Sequence, residues 1–145
     1  MSSAPPRISI LMATWNCGPQ LGAFLDSLAS QSWQDWQLLL LDNASSDGSA
    51  EVVEHCRRRL NAPERVIWSS QPDRGIYDAW NRGLQLATGD YVSFIGADDV
   101  FLDDHSLGRI AALTVSGADL ITARNAYYAV DGRLLRHWGS AWQWW

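Results

Sequence analysis

The sequence predicts an α/β fold, in which helices flank a mainly parallel sheet. Short apolar runs typical of buried strands alternate with segments whose apolar residues recur every three or four positions, as in amphipathic helices. Such alternation favours βαβ units, whose strands run parallel. The chain has 145 residues and is 47% hydrophobic, which suffices for one domain with its own core.

Three amphipathic helices and four strands are predicted before residue 96. The second helix, residues 49–60, follows a run of Ser, Asp and Gly that is typical of helix starts. We expect Gly89 to end the third helix as a left-handed cap. The predicted strands are residues 8–13, 37–41, 65–69 and 91–95. The apolar stripes are Leu21, Phe24, Leu25 and Leu28 in the first helix, Val52, Val53, Cys56 and Leu60 in the second, and Ile76, Trp80, Leu84 and Ala87 in the third.

The last part of the chain carries weaker patterns. Residues 107–113 indicate a helix, and residues 120–122 indicate a short strand. Residues 126–130 and 133–138 favour a hairpin, because the Asp-Gly pair between them suits a tight turn.

Composition excludes several classes of protein. A formal net charge of -5 disfavours a nucleic-acid partner, and we expect the one basic cluster, residues 57–59, to be the last turn of a helix. Two cysteines are too few for a disulfide framework. The apolar run near the N-terminus is too short for a membrane span or signal peptide. We expect a cytoplasmic protein without a transmembrane segment, associated at most peripherally with the inner face of the membrane.

Polar clusters follow each of the four predicted strands. Because parallel strands end at one edge of a sheet, the clusters should meet there, where open α/β folds bind ligands. The second and third clusters also suit ordinary turns, since Asp, Asn, Ser, Pro and Gly are common turn residues. The clusters are TWN (14–16), DNASSDGS (42–49), QPDRG (71–75) and GADD (96–99).

The fourth cluster indicates a cation site. Asp98 and Asp99 are adjacent like charges with no Arg or Lys close in sequence. Carboxylates, phosphate oxygens and water are the ligands that Mg²⁺ and Mn²⁺ prefer. Strand 1 is not followed by a dinucleotide-binding glycine motif, and the chain has no P-loop or nucleophile elbow.

Together the clusters resemble those of the family-two glycosyltransferases, which have the Rossmann-like GT-A fold and use nucleotide-activated sugars. The resemblance covers about residues 7–104 and includes the block QPDRGIYDAWNRGLQLATGDYVSF (71–94). It is strongest to the branch that builds bacterial surface polysaccharides. It implies that residues 1–104 form the donor-binding half and that residues 105–145 begin an acceptor-binding half that is incomplete here.

The resemblance also implies roles for individual residues. Asp42 would hydrogen-bond the base, Arg74 would approach the phosphates, and Asp98 would bind a divalent metal, Mg²⁺ or Mn²⁺. Gly96 occupies the first acidic position of the family's DxD motif. The implied nucleotide- and donor-binding residues are Thr14, Asn16, Asp42, Asn43, Asp47, Arg74, Gly75, Asp78, Asn81 and Asp99.

Three functions remain open at this point. The first is metal-assisted, inverting transfer of a sugar to an acceptor hydroxyl on a sugar or lipid-linked saccharide, with a catalytic base that we expect beyond residue 145. The second is binding of a nucleotide-sugar without transfer. The third is an interaction subunit that uses a tryptophan-rich tail, formed by Trp138, Trp142, Trp144 and Trp145.

Overall fold

A computed structural model of the protein describes residues 7–129 and 131–139, without the side chain of Trp138. Trp142, Trp144 and Trp145 of the predicted interaction tail, and residue 130 of the predicted hairpin, lie outside these residues. The strands are β1 (Ile8–Thr14), β2 (Trp36–Asp42), β3 (Val66–Ser70), β4 (Tyr91–Phe94), β5 (Asn125–Tyr128) and β6 (Leu134–Trp138). The helices are α1 (Gly18–Ala29), α2 (Ser49–Arg59), α3 (Ile76–Leu86) and α4 (Ser106–Thr114), with a short 3₁₀ helix at Pro63–Arg65.

The first four strands form one parallel sheet in the order β3-β2-β1-β4. In this register Thr14 pairs with Asp42, and Asp42 pairs with Ser70, so three strands end at the same level. The amide of Ile95 still donates to the carbonyl of Leu11 at 3.1 Å, which keeps the end of β4 beside β1. The α/β fold with a mainly parallel sheet is confirmed.

Helices cover both faces of this sheet. On one face Ile10 and Met12 of β1 belong to a core with α1, α2 and α4. Leu11 points to the other face and packs in a smaller cluster with Ala79 of α3. A Cβ on Gly83 would lie 2.9 Å from a methyl group of Leu11, so this glycine lets α3 approach the sheet closely. The predicted stripe of α1 is confirmed, since Leu21, Phe24, Leu25 and Leu28 are all buried.

Three local predictions are wrong. The predicted stripe of α3 does not face the sheet as a whole: Ile76 and Leu84 are exposed, and the buried residues of this helix are the small Ala79 and Gly83, which let it approach the sheet closely.

Gly89 is not a left-handed cap: α3 ends at Leu86, and Gly89 is not among the residues with positive φ. A Cβ on Gly89 would lie 2.7 Å from the carbonyl oxygen of Arg7, so close backbone packing explains the glycine. Residues 120–122 form no strand in the described structure, because so short a run, with only two apolar residues, does not specify a pairing partner.

The predicted helix and hairpin near the C-terminus are confirmed. Residues 106–114 form α4, and β5 and β6 form the expected antiparallel hairpin, which has an irregularity between Tyr127 and Tyr128. The cluster Arg57, Arg58 and Arg59 occupies the last turn of α2, as predicted. No helix within residues 7–129 and 131–139 is long and apolar enough to cross a membrane.

Candidate functional site

The four polar clusters lie at the carboxyl edge of the sheet. Each begins at or just after the end of one of the four parallel strands, as the sequence predicts. The chain runs from β1 outwards to β2 and β3, and then returns to place β4 on the other side of β1. Such a reversal opens a crevice at the strand ends, where doubly wound folds bind their ligands. The clusters after β1 and β4 flank this position.

Asp42 is the centre of a hydrogen-bond network at this edge. Its side chain is fully buried. Thr14 donates to Oδ1 at 3.1 Å, the amide of Ser45 donates to Oδ2 at 2.8 Å, and Ser70 donates to Oδ2 at 2.6 Å. The hydroxyl of Ser45 also donates to Oδ1. A carboxylate has about four acceptor sites, so these donors occupy them all. In this arrangement Asp42 has no free acceptor for a base, and the predicted base contact stays a prediction.

The loops after β1 and β2 hold each other through Asn16. Its amide donates to the Ser45 hydroxyl at 2.8 Å, and its side-chain oxygen accepts from the amide of Ser46 at 3.0 Å. Asn16 and Ala44 have φ angles of 47° and 48°. Non-glycine residues in this left-handed region store strain, which is commonly found where a loop must hold a ligand. The network around Asp42 supports both strained residues.

Asp47 joins the starts of α1 and α2. Its Oδ2 accepts from the amide of Gly18 at 2.9 Å, and its Oδ1 accepts from the amide of Ser49 at 3.1 Å. The hydroxyl of Ser49 and then the amide of Gly18 hold the pKa of Asp47 below its usual value. A carboxylate at a helix start also interacts favourably with the helix dipole. Asp47 therefore shapes its loop, and its predicted place among the donor-binding residues stays a prediction.

The loop after β3 is fixed to the loop after β2. The side-chain oxygen of Asn43 accepts from the amide of Asp73 at 2.9 Å. Asp73 accepts from the amide of Gly75 at 2.9 Å, and Asp78 accepts from the amide of Arg74 at 3.0 Å. Gly75 has a φ of 116°, which favours glycine, and it immediately precedes α3.

Two side chains of this region are left available for a ligand. The guanidinium of Arg74 and the amide of Asn81 are exposed, and neither has a hydrogen-bond or ion-pair partner within the described residues. Arg74 lies at the start of α3, where backbone N–H groups and the helix dipole favour anions. This arrangement suits a phosphate.

The two acids after β4 have different surroundings. The amide of Gly96 donates to Oδ2 of Asp99 at 2.9 Å, whereas Asp98 has no hydrogen-bond or ion-pair partner in the described part of the chain. Both side chains are exposed. A Cβ on Gly96 would lie 2.9 Å from Asp98 Oδ1 and 3.1 Å from Asp99 Oδ2, so this glycine lets both carboxylates lie against the backbone.

The donor set fits a hard divalent ion whose other ligands come from substrate and water. Asp98 offers a carboxylate that has no partner in the part of the chain that the structure describes, and carboxylates are the kind of ligand that Mg²⁺ and Mn²⁺ take. Among residues 7–129 and 131–139 no group of three or more His, Cys, Asp or Glu side chains is placed to hold a metal ion, so substrate and water would have to supply most of the ligands.

Comparison with known proteins identifies the family. Residues 9–144 match the family model described as Glycosyl transferase family 2. The chain belongs to this family. The resemblance seen in the sequence is thereby confirmed.

This chain matches only part of two curated relatives, which are longer than it is. The PGL/p-HBAD biosynthesis glycosyltransferase of Mycobacterium bovis (strain BCG / Pasteur 1173P2) is 40% identical over 109 residues, which is 75% of this chain and 42% of the relative. The putative glycosyltransferase EpsE of Bacillus subtilis is 30% identical over 95 residues, 66% of this chain and 34% of the relative. The chain thus spans less than half the length of these two relatives.

Solved glycosyltransferases share the fold. S. aureus TarS 1-349, in complex with UDP-GlcNAc, has a TM-score of 0.67 and 25% identity, covering 76% of this chain and 31% of that one. The mannosyltransferase PcManGT from Pyrobaculum calidifontis, in complex with GDP-Man and Mn²⁺, has a TM-score of 0.69 and 24% identity, covering 82% and 34%. The predicted GT-A fold is confirmed.

The structure adds residues that the sequence analysis did not select for this family-two site. Trp15, between Thr14 and Asn16, is 68% exposed at the carboxyl edge, and its place inside TWN was the available signal. Ser70 contacts Asp42, and Arg82 donates to the carbonyls of Asp42 and Ser69 at 3.5 Å each. Nothing in the neighbouring sequence marks Ser70 or Arg82 as a site residue, because their contacts depend on how β3 and α3 are placed relative to β2.

Asp103, which lies beyond the fourth cluster, is engaged in structure. Arg109 donates to both of its oxygens, at 2.9 and 2.8 Å. This contact, followed by the amide of His105, lowers the pKa of Asp103 to about 2. Such a carboxylate is a poor proton acceptor near neutral pH. We therefore assign it no catalytic role.

Proposed function

We propose that this chain binds a nucleotide-diphospho-sugar and forms the donor-binding part of a glycosyltransferase. The observation that carries this proposal is the convergence of four polar loops on one crevice beside Asp98, whose carboxylate has no hydrogen-bond or ion-pair partner among the described residues. Membership of the family supports it, as does the likeness to TarS, whose structure contains UDP-GlcNAc. Residues 1–104 would supply this donor site, and residues 105–145 would begin the acceptor part.

The nucleotide would lie across the ends of β1, β2 and β3. The exposed indole of Trp15 offers a flat surface on which a base can stack. Asn16 and Asn43 hold the loops that line this pocket, with Thr14, Asp42 and Asp47 behind them.

The diphosphate would lie between the start of α3 and the end of β4. Arg74 and the backbone N–H groups at the start of α3 would bind its oxygens, next to Gly75, whose own amide is held by Asp73. Asp78 holds that loop, and Asn81 would face the cleft. Asp98 would hold Mg²⁺ or Mn²⁺, with Asp99 as a supporting contact. The metal supplies neutralisation of the charge that develops on the leaving phosphate.

The acceptor would be a hydroxyl of a sugar or a lipid-linked saccharide in the synthesis of a bacterial polysaccharide or glycoconjugate. The mycobacterial relative, which is named for PGL/p-HBAD biosynthesis, supports a glycoconjugate. Transfer would invert the anomeric centre, an expectation that comes from the family resemblance. We assign no catalytic base within the described residues.

A second candidate function is donor binding without transfer. It is favoured by the engagement of Asp103 with Arg109, since this acid is not available as a base, and no other base is assigned within the described residues. A binding module and a transferase would share the same donor site, so only a turnover assay separates them.

Calorimetry tests the binding that both functions require. We expect UDP or GDP to bind in the presence of Mn²⁺ and more weakly without it. Indifference to UDP, GDP and dTDP under both conditions would remove both functions. Incubation of the corresponding nucleotide-sugar with saccharide acceptors, followed by assay of released nucleoside diphosphate, then distinguishes transfer from binding alone.

A further inference from the structure

Ser70 links the end of β3 to the buried carboxylate of Asp42. The Ser70 hydroxyl donates to Asp42 Oδ2 at 2.6 Å, and the amide of Gln71 donates to the backbone carbonyl of Asp42 at 3.0 Å. Ser70 is the residue that pairs with Asp42 in the sheet register. The hydroxyl is thus held in place by the sheet itself and does not depend on a flexible loop.

The effect of this contact extends to the two loops beside it. Asp42 also holds Ser45, and the hydroxyl of Ser45 accepts from the amide of Asn16 at 2.8 Å. A continuous series of hydrogen bonds therefore runs from β3 through Asp42 to the loop after β1. It spans both left-handed residues, Asn16 and Ala44, whose strain must be compensated by surrounding contacts.

We propose that Ser70 is a positioning residue for nucleotide binding, and that it acts through Asp42. The proposal rests on the proposed function, because it concerns the same pocket. Ser70 supplies one of the four hydrogen bonds that orient the carboxylate, and the oriented carboxylate fixes Ser45 and Asn16. Asp42 then contributes to binding by fixing the shape of the pocket. Its acceptor sites hydrogen-bond protein groups and do not contact the base.

This arrangement has a specific consequence for different nucleotides. A side chain that contacts the base directly distinguishes uracil from guanine, because the two present different donors and acceptors. A residue that acts through loop geometry weakens binding of both nucleotides by a similar factor. Comparing UDP with GDP therefore separates a positioning role from a base contact.

The test compares substitutions at Ser70 with a control on the same strand. Ser70→Ala removes the donor, Ser70→Thr keeps it, and Ser69→Ala changes a neighbouring serine whose hydroxyl has no hydrogen bond within the described residues. Dissociation constants for UDP and GDP are measured by calorimetry with Mn²⁺, well below the melting temperature of each variant. If Ser70→Ala does not fold, Ser70→Cys replaces it, because a thiol is a much weaker donor.

We expect Ser70→Ala to weaken UDP and GDP binding about tenfold each, as one charge-assisted hydrogen bond is lost. Ser70→Thr should restore binding, and Ser69→Ala should leave it unchanged. Unaltered affinity in Ser70→Ala, or a loss confined to one nucleotide, would overturn the inference. If the unsubstituted protein binds neither nucleotide, it is the proposed function that fails.

Discussion

Gly96 and Asp99 are joined by a hydrogen bond in which the backbone amide of the glycine donates to Oδ2 of the carboxylate at 2.9 Å. Asp98, between them in the chain, has no such partner within the described residues. The bond occupies one oxygen of Asp99 and leaves both oxygens of Asp98 available. Of the two adjacent acids, Asp98 is therefore the better candidate for direct contact with a metal.

Replacing Asp98 should affect metal-dependent binding more than folding. We expect Asp98→Asn to lower Mn²⁺-dependent nucleotide affinity by about 100-fold, since even outer-shell partners of a metal contribute about 10- to 100-fold. The melting temperature should stay the same or rise, because repulsion between neighbouring carboxylates is relieved. The measurement is calorimetry with and without Mn²⁺. Asp90→Asn, which changes an exposed acid before the start of β4, is the control. Equal Mn²⁺ dependence in Asp98→Asn and the parent would contradict the assignment.

Trp15 should contribute to affinity through its ring. Trp15→Ala is expected to weaken nucleotide binding by about tenfold or more, because stacking of a base on an aromatic side chain contributes about 1–3 kcal/mol. Trp15→Phe keeps an aromatic face and should recover part of the loss. The indole is 68% exposed, so neither change should lower the melting temperature appreciably. Dissociation constants measured for all three proteins decide the matter, and identical values would exclude stacking.

Two glycines of the same fold should respond to alanine in opposite directions. At Gly89 a Cβ would lie 2.7 Å from the Arg7 carbonyl oxygen and 2.8 Å from the Ser9 amide, both backbone atoms. We expect Gly89→Ala to cost about 1–3 kcal/mol, the usual effect of overpacking. Gly22 lies within α1 with nothing within 4 Å of its added Cβ. Gly22→Ala should therefore stabilise the protein by about 0.5–1 kcal/mol. Denaturant unfolding measures both, and a destabilised Gly22→Ala would speak against the fold at α1.

Asp103 should contribute to stability in a defined range of acid pH. The hydrogen bonds from Arg109 and then from the amide of His105 lower its pKa from 3.8 to about 2 in the folded protein. Because the folded pKa is the lower one, the stabilisation is complete above 3.8 and is lost as pH falls from 3.8 towards about 2. The lowered pKa of Asp47 acts in the same direction.

Melting temperatures between about pH 5 and pH 2 measure this contribution. Asp103→Asn should lose less stability across that range than the parent does. Asp104→Asn, which alters an adjacent acid without an ion pair in the described residues, should follow the parent. A parallel decline in all three proteins would mean that the contact between Asp103 and Arg109 does not form in solution.

Local pattern in the sequence determined most of the sheet and its helices. The strand ending in Leu41 and Asp42 is apolar because both of its faces are covered, and the stripe of α1 repeats because one side of that helix is buried. Such signals need only near neighbours in the chain. The polar clusters could be placed at one edge for the same reason, since parallel strands end together.

Contacts between distant residues were decided only by the tertiary structure. Ser70 and Arg82 belong to the site because β3 and α3 bring them to Asp42, and nothing beside them in the sequence indicates this. Gly89 follows a predicted helix, where a glycine often forms the cap. The structure gives another reason for this glycine, because the backbone at the start of β1 lies too close for a side chain. The hydrogen bonds that Asp42 receives from the neighbouring strands and the close backbone approach at Gly89 both join atoms that are far apart in the chain. They are therefore known only once the strands and helices are packed together.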